Sequence, residues 1–149
     1  MGAAYRKGAH SIFKLEAHIV WITKYRHKVL NGRIATETRD LIRRICAEQE
    51  TSILSGVVSS DHVHIVVSYD PSTSISHLVQ QLKGKTSRLL QIKFPELGKR
   101  YWGQHLWARG YFAVSVGNVS EQTVKEYLEH HFDDEGDDAF KIGEQPLRT

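Results

Sequence analysis

From Phe13 to Trp21 (FKLEAHIVW) the chain alternates, with Leu15, Ala17, Ile19 and Trp21 on one side and Lys14, Glu16, His18 and Val20 on the other. This period of two predicts a half-buried strand. Past the basic aromatic stretch Lys24-Tyr25-Arg26-His27-Lys28 and the turn-forming pair Asn31-Gly32, the spacing changes. Ile34, Leu41, Ile42, Ile45 and Cys46 then follow a helical stripe to about Gln49. Ser52 to Ser59 and His62 to Tyr69 are short β-rich runs on either side of Ser60-Asp61, as in a hairpin, and Pro71 ends the second run.

Ser74 is a helix cap ahead of the stripe Ile75, Leu78, Val79, Leu82 and Leu89, and that helix should stop before Pro95. Lys99 to Gly110 reads as irregular and aromatic-rich, Tyr111 to Val116 as a strand, and Gly117-Asn118 as the turn into a last helix over about 120–132. The order β, α, β, β, α, β, α with hairpins predicts an α+β, ferredoxin-like (RRM-like) antiparallel sheet covered by helices. No internal repeat is visible.

At 149 residues the chain is the size of one domain. The folded unit is expected over 1–132, with the Gly- and Pro-containing acidic stretch 133–149 as an extended tail. No apolar run approaches a membrane span and Met1 to His10 lacks the apolar region of a secretory signal, so a soluble cytoplasmic protein is expected. The lone Cys46 permits neither an internal disulfide nor a thiolate metal cluster. Residues 133–149 hold six acids and two bases, which turns the formal charge of +3 into a net +7 on residues 1–132. Such a surface suits a polyanionic partner, although a basic solvated surface would look the same.

The sharpest chemical feature is Asp61-His62-Val63-His64, because a strand points His62 and His64 to one face and Val63, Ile65 and Val67 to the other. Two neutral imidazoles side by side can hold a divalent ion. Taken alone, the pair is also what two polar residues on a solvent-facing strand look like. In Glu121 to Phe132 (EQTVKEYLEHHF), Val124, Tyr127, Leu128 and His131 share one helical face. If that face meets the histidine strand, His131 completes a three-nitrogen site and Tyr127 brings a hydroxyl beside it. Beside a cation a phenol can attack phosphorus; without that contact Tyr127 is an ordinary core aromatic.

Taken in order, HIVWITKYRHKVL at 18–30, DHVHIVV at 61–67, LKGKTSR at 82–88, LWARGYFAVSVGNVS at 106–120 and VKEYLEHH at 124–131 resemble the single-tyrosine HUH transposases. These are the small transposases of bacterial and archaeal insertion sequences that move as single-stranded DNA. The resemblance covers about residues 10–132 and implies an HUH endonuclease type of fold. It makes His62 and His64 the HUH histidines and Tyr127 the nucleophile. His131 stands where the family often has a metal-binding Gln. The resemblance further implies Mg²⁺ or Mn²⁺ as cofactor, a 5′-phosphotyrosine intermediate, hairpins near the element ends as the DNA partner, and a homodimer in which active sites can be shared between subunits.

For DNA contact the sequence offers Lys24, Arg26, Lys28, Lys83, Lys85 and Arg88 for phosphates, and Tyr25, Trp102 and Trp107 for stacking on unpaired bases. Competing readings are a domesticated relative acting on repeated genomic hairpins, a non-catalytic nucleic-acid-binding module, and a phosphoesterase that uses water and has no need of Tyr127.

Overall fold

The computed structural model describes residues 6–7, 12–116 and 125–129. Two short strands, β1 (Arg6–Lys7) and β2 (Ile12–Phe13), pair with each other ahead of the main body. The body then runs β3 (Glu16–Ile22), α1 (Gly32–Glu48), β4 (Ser52–Ser59), β5 (His62–Ser68), α2 (Ile75–Lys93), α3 (Pro95–Arg100) and β6 (Phe112–Ser115). Residues 125–129 are helical and are called α4 below. The last helix expected over 120–132 is described only in that part, and the tail lies outside the described residues.

β3 to β6 form one four-stranded sheet in the order β4-β5-β3-β6, with every neighbouring pair antiparallel. With α1 and α2 as crossovers, this is the ferredoxin-like α+β arrangement that the element order predicted. The hairpin β4–β5 closes at Ser60-Asp61, and the Ser74 hydroxyl caps α2 by accepting from the His77 amide at 3.2 Å.

Register explains the two faces. Ala17, Ile19 and Trp21 lie opposite Val67, Ile65 and Val63, and all six are buried. This face meets the helices: the Trp21 ring packs edge-on against Trp107 at 5.9 Å, and the Trp107 indole donates to Thr86 Oγ1 of α2 at 2.8 Å. One continuous apolar cluster joins this face to Leu41, Ile42 and Ile45 of α1 and Leu78, Leu82 and Leu90 of α2. The opposite face carries His18, Val20 and Ile22 beside Val66, His64 and His62.

Three local features depart from the sequence expectation. β3 is buried on both faces toward its end, since Val20 and Ile22 are covered as fully as Ile19. Pro95 begins α3 and does not merely end α2, because a first-turn position needs no amide hydrogen. The stretch expected to be irregular is partly an edge strand: Trp107 bridges Thr23, the Ala108 amide donates to the Ile22 carbonyl at 2.9 Å, and β6 resumes the pairing from Phe112. Between them the edge kinks at Gly110, whose φ of 83° is one that glycine adopts without a steric penalty.

Candidate active site

The alternation of β5 turns His62 and His64 to the face away from α1 and α2, as the sequence predicted, and both are half-buried. Each imidazole has a defined neighbour. His62 Nδ1 lies 2.9 Å from Asp61 Oδ1, so Nδ1 carries the donated hydrogen and, in the neutral imidazole, Nε2 is the nitrogen with the lone pair. His64 Nε2 lies 3.0 Å from Nδ1 of His18, which stands across the sheet on β3.

Asp61 sits at the tip of the hairpin, buried, and faces two partners. Its Oδ2 receives the Arg26 Nε at 3.1 Å, and Arg26 Nη2 lies 3.0 Å from the same oxygen. Burial alone would push the Asp61 carboxyl up, but the hydrogen bond from His62 and the charge of Arg26 outweigh it and hold the group below its ordinary value. The carboxylate is therefore a fixed anion that orients His62.

Arg26 reaches this position through an unusual turn. Tyr25 and Arg26 have φ of 61° and 54°, two consecutive left-handed residues with side chains. Such residues cost on the order of 1 kcal/mol each and persist where surrounding contacts hold them. Here the holding contacts are the Asp61 carboxylate and the Leu128 carbonyl, to which Arg26 Nη1 donates at 3.1 Å.

Tyr127 of α4 is 5% exposed, and its ring centroid lies 4.8 Å from that of Phe112. Phe112 is opposite Val20 on β3, and Val20 is opposite His64 on β5. Cross-strand partners face the same way, so the tyrosine packs on the histidine face of the sheet. The ring thus lies on the side of the sheet that bears His62 and His64, over the β6 edge, with β3 between it and β5. His131 lies outside the described residues.

The donor set suits a divalent ion. A histidine whose Nδ1 is held by a carboxylate presents Nε2 outward, as metal-bound histidines do. Among the described residues no three His, Cys, Asp or Glu side chains are grouped closely enough to enclose an ion, so a complete site needs a further donor.

The cationic candidates divide by environment. Arg26 is taken up inside the protein by Asp61 and Leu128. Lys83 donates to the carbonyls of Ala108 and Gly110 at 2.8 and 2.7 Å, holding the kinked edge against α2. Lys85 pairs with Glu48 at 3.4 Å. Lys28 and Arg88 are exposed, as is Tyr25 at 56%, with the Lys24 ammonium 5.4 Å above its ring. Of the tryptophans, Trp107 is buried and Trp102 is 87% exposed. Beside Lys24 and Lys83 an open cavity of about 470 Å³ is also lined by His105, Arg109 and Tyr111, and none of its described lining residues is acidic.

The sequence reading placed Arg26 among the phosphate contacts and gave Asp61 no role. An acid directly before the first histidine was a usable signal for Asp61. Nothing in the pattern announces the left-handed turn that carries Arg26 inward.

A family model described as transposase IS200 like matches residues 11–131. The chain belongs to the IS200-like transposase family. This IS200-like transposase is 33% identical over 130 residues to the ISDra2 transposase TnpA of Deinococcus radiodurans, covering 87% of this chain and 93% of that protein. It is 29% identical over 137 residues to the transposase for insertion sequence element IS200 of Salmonella typhimurium, covering 92% and 86%. A crystal structure from Deinococcus radiodurans R1 described as that of a transposase superposes with a TM-score of 0.77 at 32% identity, over 83% of this chain and 95% of that one. The REP-associated tyrosine transposase bound to a REP hairpin shares the fold, with a TM-score of 0.53 at 13% identity over 84% and 67%.

Proposed function

We propose that this transposase cleaves and rejoins single-stranded DNA at insertion-sequence ends by tyrosine transesterification. The observation that carries the reading is the packing of Tyr127 on the sheet face that bears His62 and His64.

In this reading the Tyr127 oxygen attacks a DNA phosphorus, the new oxygen–phosphorus bond replaces the bond to the 3′ oxygen, and the phenolic proton ends on the leaving 3′-hydroxyl. The product is a 5′-phosphotyrosine. A second strand's 3′-hydroxyl reverses the step and returns the proton to Tyr127, so ends are joined without an external energy source.

Mg²⁺ or Mn²⁺, held by His62, His64 and His131, would polarise the phosphate and offset its charge. The chain's own residues do the rest. Asp61 fixes the His62 ring through Nδ1, and packing of the Tyr127 ring against Phe112 holds the tyrosine on the histidine side of the sheet. Exposed Lys28 and Arg88, with the cationic cavity beside Lys24, are suited to a strand bearing hairpins. The same reading has the protein working as a homodimer.

The test is incubation of the protein with single-stranded and duplex DNA from the flanks of its own gene, with Mg²⁺ or EDTA, followed by a denaturing gel. A metal-dependent adduct on single strands only, absent in Tyr127→Phe although DNA binding is kept, is expected. Cleavage without an adduct would put a water-using nuclease in its place, and binding without cleavage would leave a binding module.

A further inference from the structure

We infer that Arg26 is a positioning residue that clasps the tyrosine helix to the carboxylate orienting His62, so that the nucleophile's helix and His62 are set by one side chain. The inference rests on the tyrosine reading above.

The geometry is a chain of contacts across three separate parts of the sequence. His62 Nδ1 meets Asp61 Oδ1 at 2.9 Å, Asp61 Oδ2 meets Arg26 Nε at 3.1 Å, and Arg26 Nη1 meets the carbonyl of Leu128, the residue after Tyr127, at 3.1 Å. The Arg26 and Asp61 side chains are 10% and 7% exposed, so this chain runs through the interior and is little screened by solvent. A guanidinium is suited to the task, because its planar fork holds donors in fixed directions and can meet a carboxylate and a carbonyl at once. A lysine in its place has a single ammonium that can satisfy the carboxylate but not the spread of both acceptors. The left-handed conformations of Tyr25 and Arg26 point the same way, since the turn is held in a strained form that delivers this side chain inward.

Two consequences follow. With the clasp intact, α4 is fixed on the Phe112 side of the sheet of its own chain. With Asp61 also held, His62 is kept in one orientation, and metal affinity depends on the carboxylate more than on the helix.

Hydrogen exchange of the DNA-free protein and Mn²⁺ binding by calorimetry test this without requiring turnover. Arg26→Lys should speed amide exchange at 125–129 by about tenfold or more while α1 keeps its protection. Its Mn²⁺ affinity should stay within about threefold of the parent, whereas Asp61→Asn should lose about tenfold or more. Where the parent forms the DNA adduct, Arg26→Lys should slow its formation by about tenfold at unchanged DNA affinity. Parental exchange at 125–129 in Arg26→Lys would overturn the clasp, as would a loss of protection spread evenly through α1 and β5, which would mark Arg26 as a general stability residue. Failure of the parent to form any adduct would instead remove the tyrosine reading and leave the exchange and Mn²⁺ results to stand as measured.

Discussion

His18 on β3 and His64 on β5 meet nitrogen to nitrogen, Nδ1 to Nε2 at 3.0 Å, with ring centroids 5.3 Å apart. One of the two nitrogens must donate to the other. Either His18 occupies the His64 Nε2 lone pair, or that nitrogen bears a proton; in both cases it is engaged with His18 before any ion arrives.

In the reading proposed above, an ion held by His64 through Nε2 has to displace this contact. A net hydrogen bond is worth about 1 kcal/mol, so His18→Phe should tighten Mn²⁺ binding by up to about fivefold, measured by calorimetry on the DNA-free protein. A loss of affinity of about tenfold or more would show the opposite, that His18 coordinates the ion together with His64.

Much of this arrangement could be read from the sequence, because it follows from local periodicity. Alternation in β5 places His62 and His64 on one face whatever the rest of the chain does, and the Ser74 cap with the Leu78, Val79 and Leu82 stripe specifies α2. The features that were not legible depend on contacts between distant segments. Lys83 looks like any surface cation on a helix until the Gly110 kink brings two carbonyls to it. Arg26 lies in a basic run with Lys28, which is exposed, and only a strained turn separates the fates of the two. The Phe112–Tyr127 contact joins two elements that no spacing rule connects.

His27 should make the fold sensitive to mild acid. Its ring lies 5.7 Å from that of Tyr25 and 5.6 Å from that of Tyr101, and burial followed by the charge of Arg100 lowers its pKa. An unfolded histidine titrates near about 6.5, and the folded one does so lower. Below that point the unfolded chain binds the proton more readily, so stability is full above roughly pH 6.5 and declines as pH falls toward the folded value. Urea unfolding at intervals from roughly pH 7.5 to 5 should show a shallower decline for His27→Gln than for the parent. Parallel curves would remove His27 from the pH response.

Cys46 should be chemically silent in the native protein. It is buried in α1 and its thiol is pushed up to about 11 by that burial. At pH 8 only about one thiol in a thousand is then ionised, and the thiolate is the reactive form. A disulfide reagent should label the native protein slowly, at a rate set by opening of α1, and label it at once in strong denaturant. Rapid labelling without denaturant would mean that the α1 face opens far more readily than its packing implies.

Lys83 and Arg88, six residues of α2 from start to finish, should fail in opposite ways when neutralised. The Lys83 ammonium donates to the carbonyls of Ala108 and Gly110, so Lys83→Met leaves two part-buried acceptors without that donor. That should cost about 1–3 kcal/mol of unfolding free energy, read from urea denaturation. Arg88 is exposed, so Arg88→Met should leave stability within about 0.5 kcal/mol. Its effect should fall on DNA: the affinity for single strands should drop, and the slope of log K against log salt should shrink by about 0.7, as expected for one lost phosphate contact on a single strand. An unchanged salt slope for Arg88→Met would place the strand elsewhere on the surface, and an undiminished stability for Lys83→Met would mean that the kinked edge is held without it.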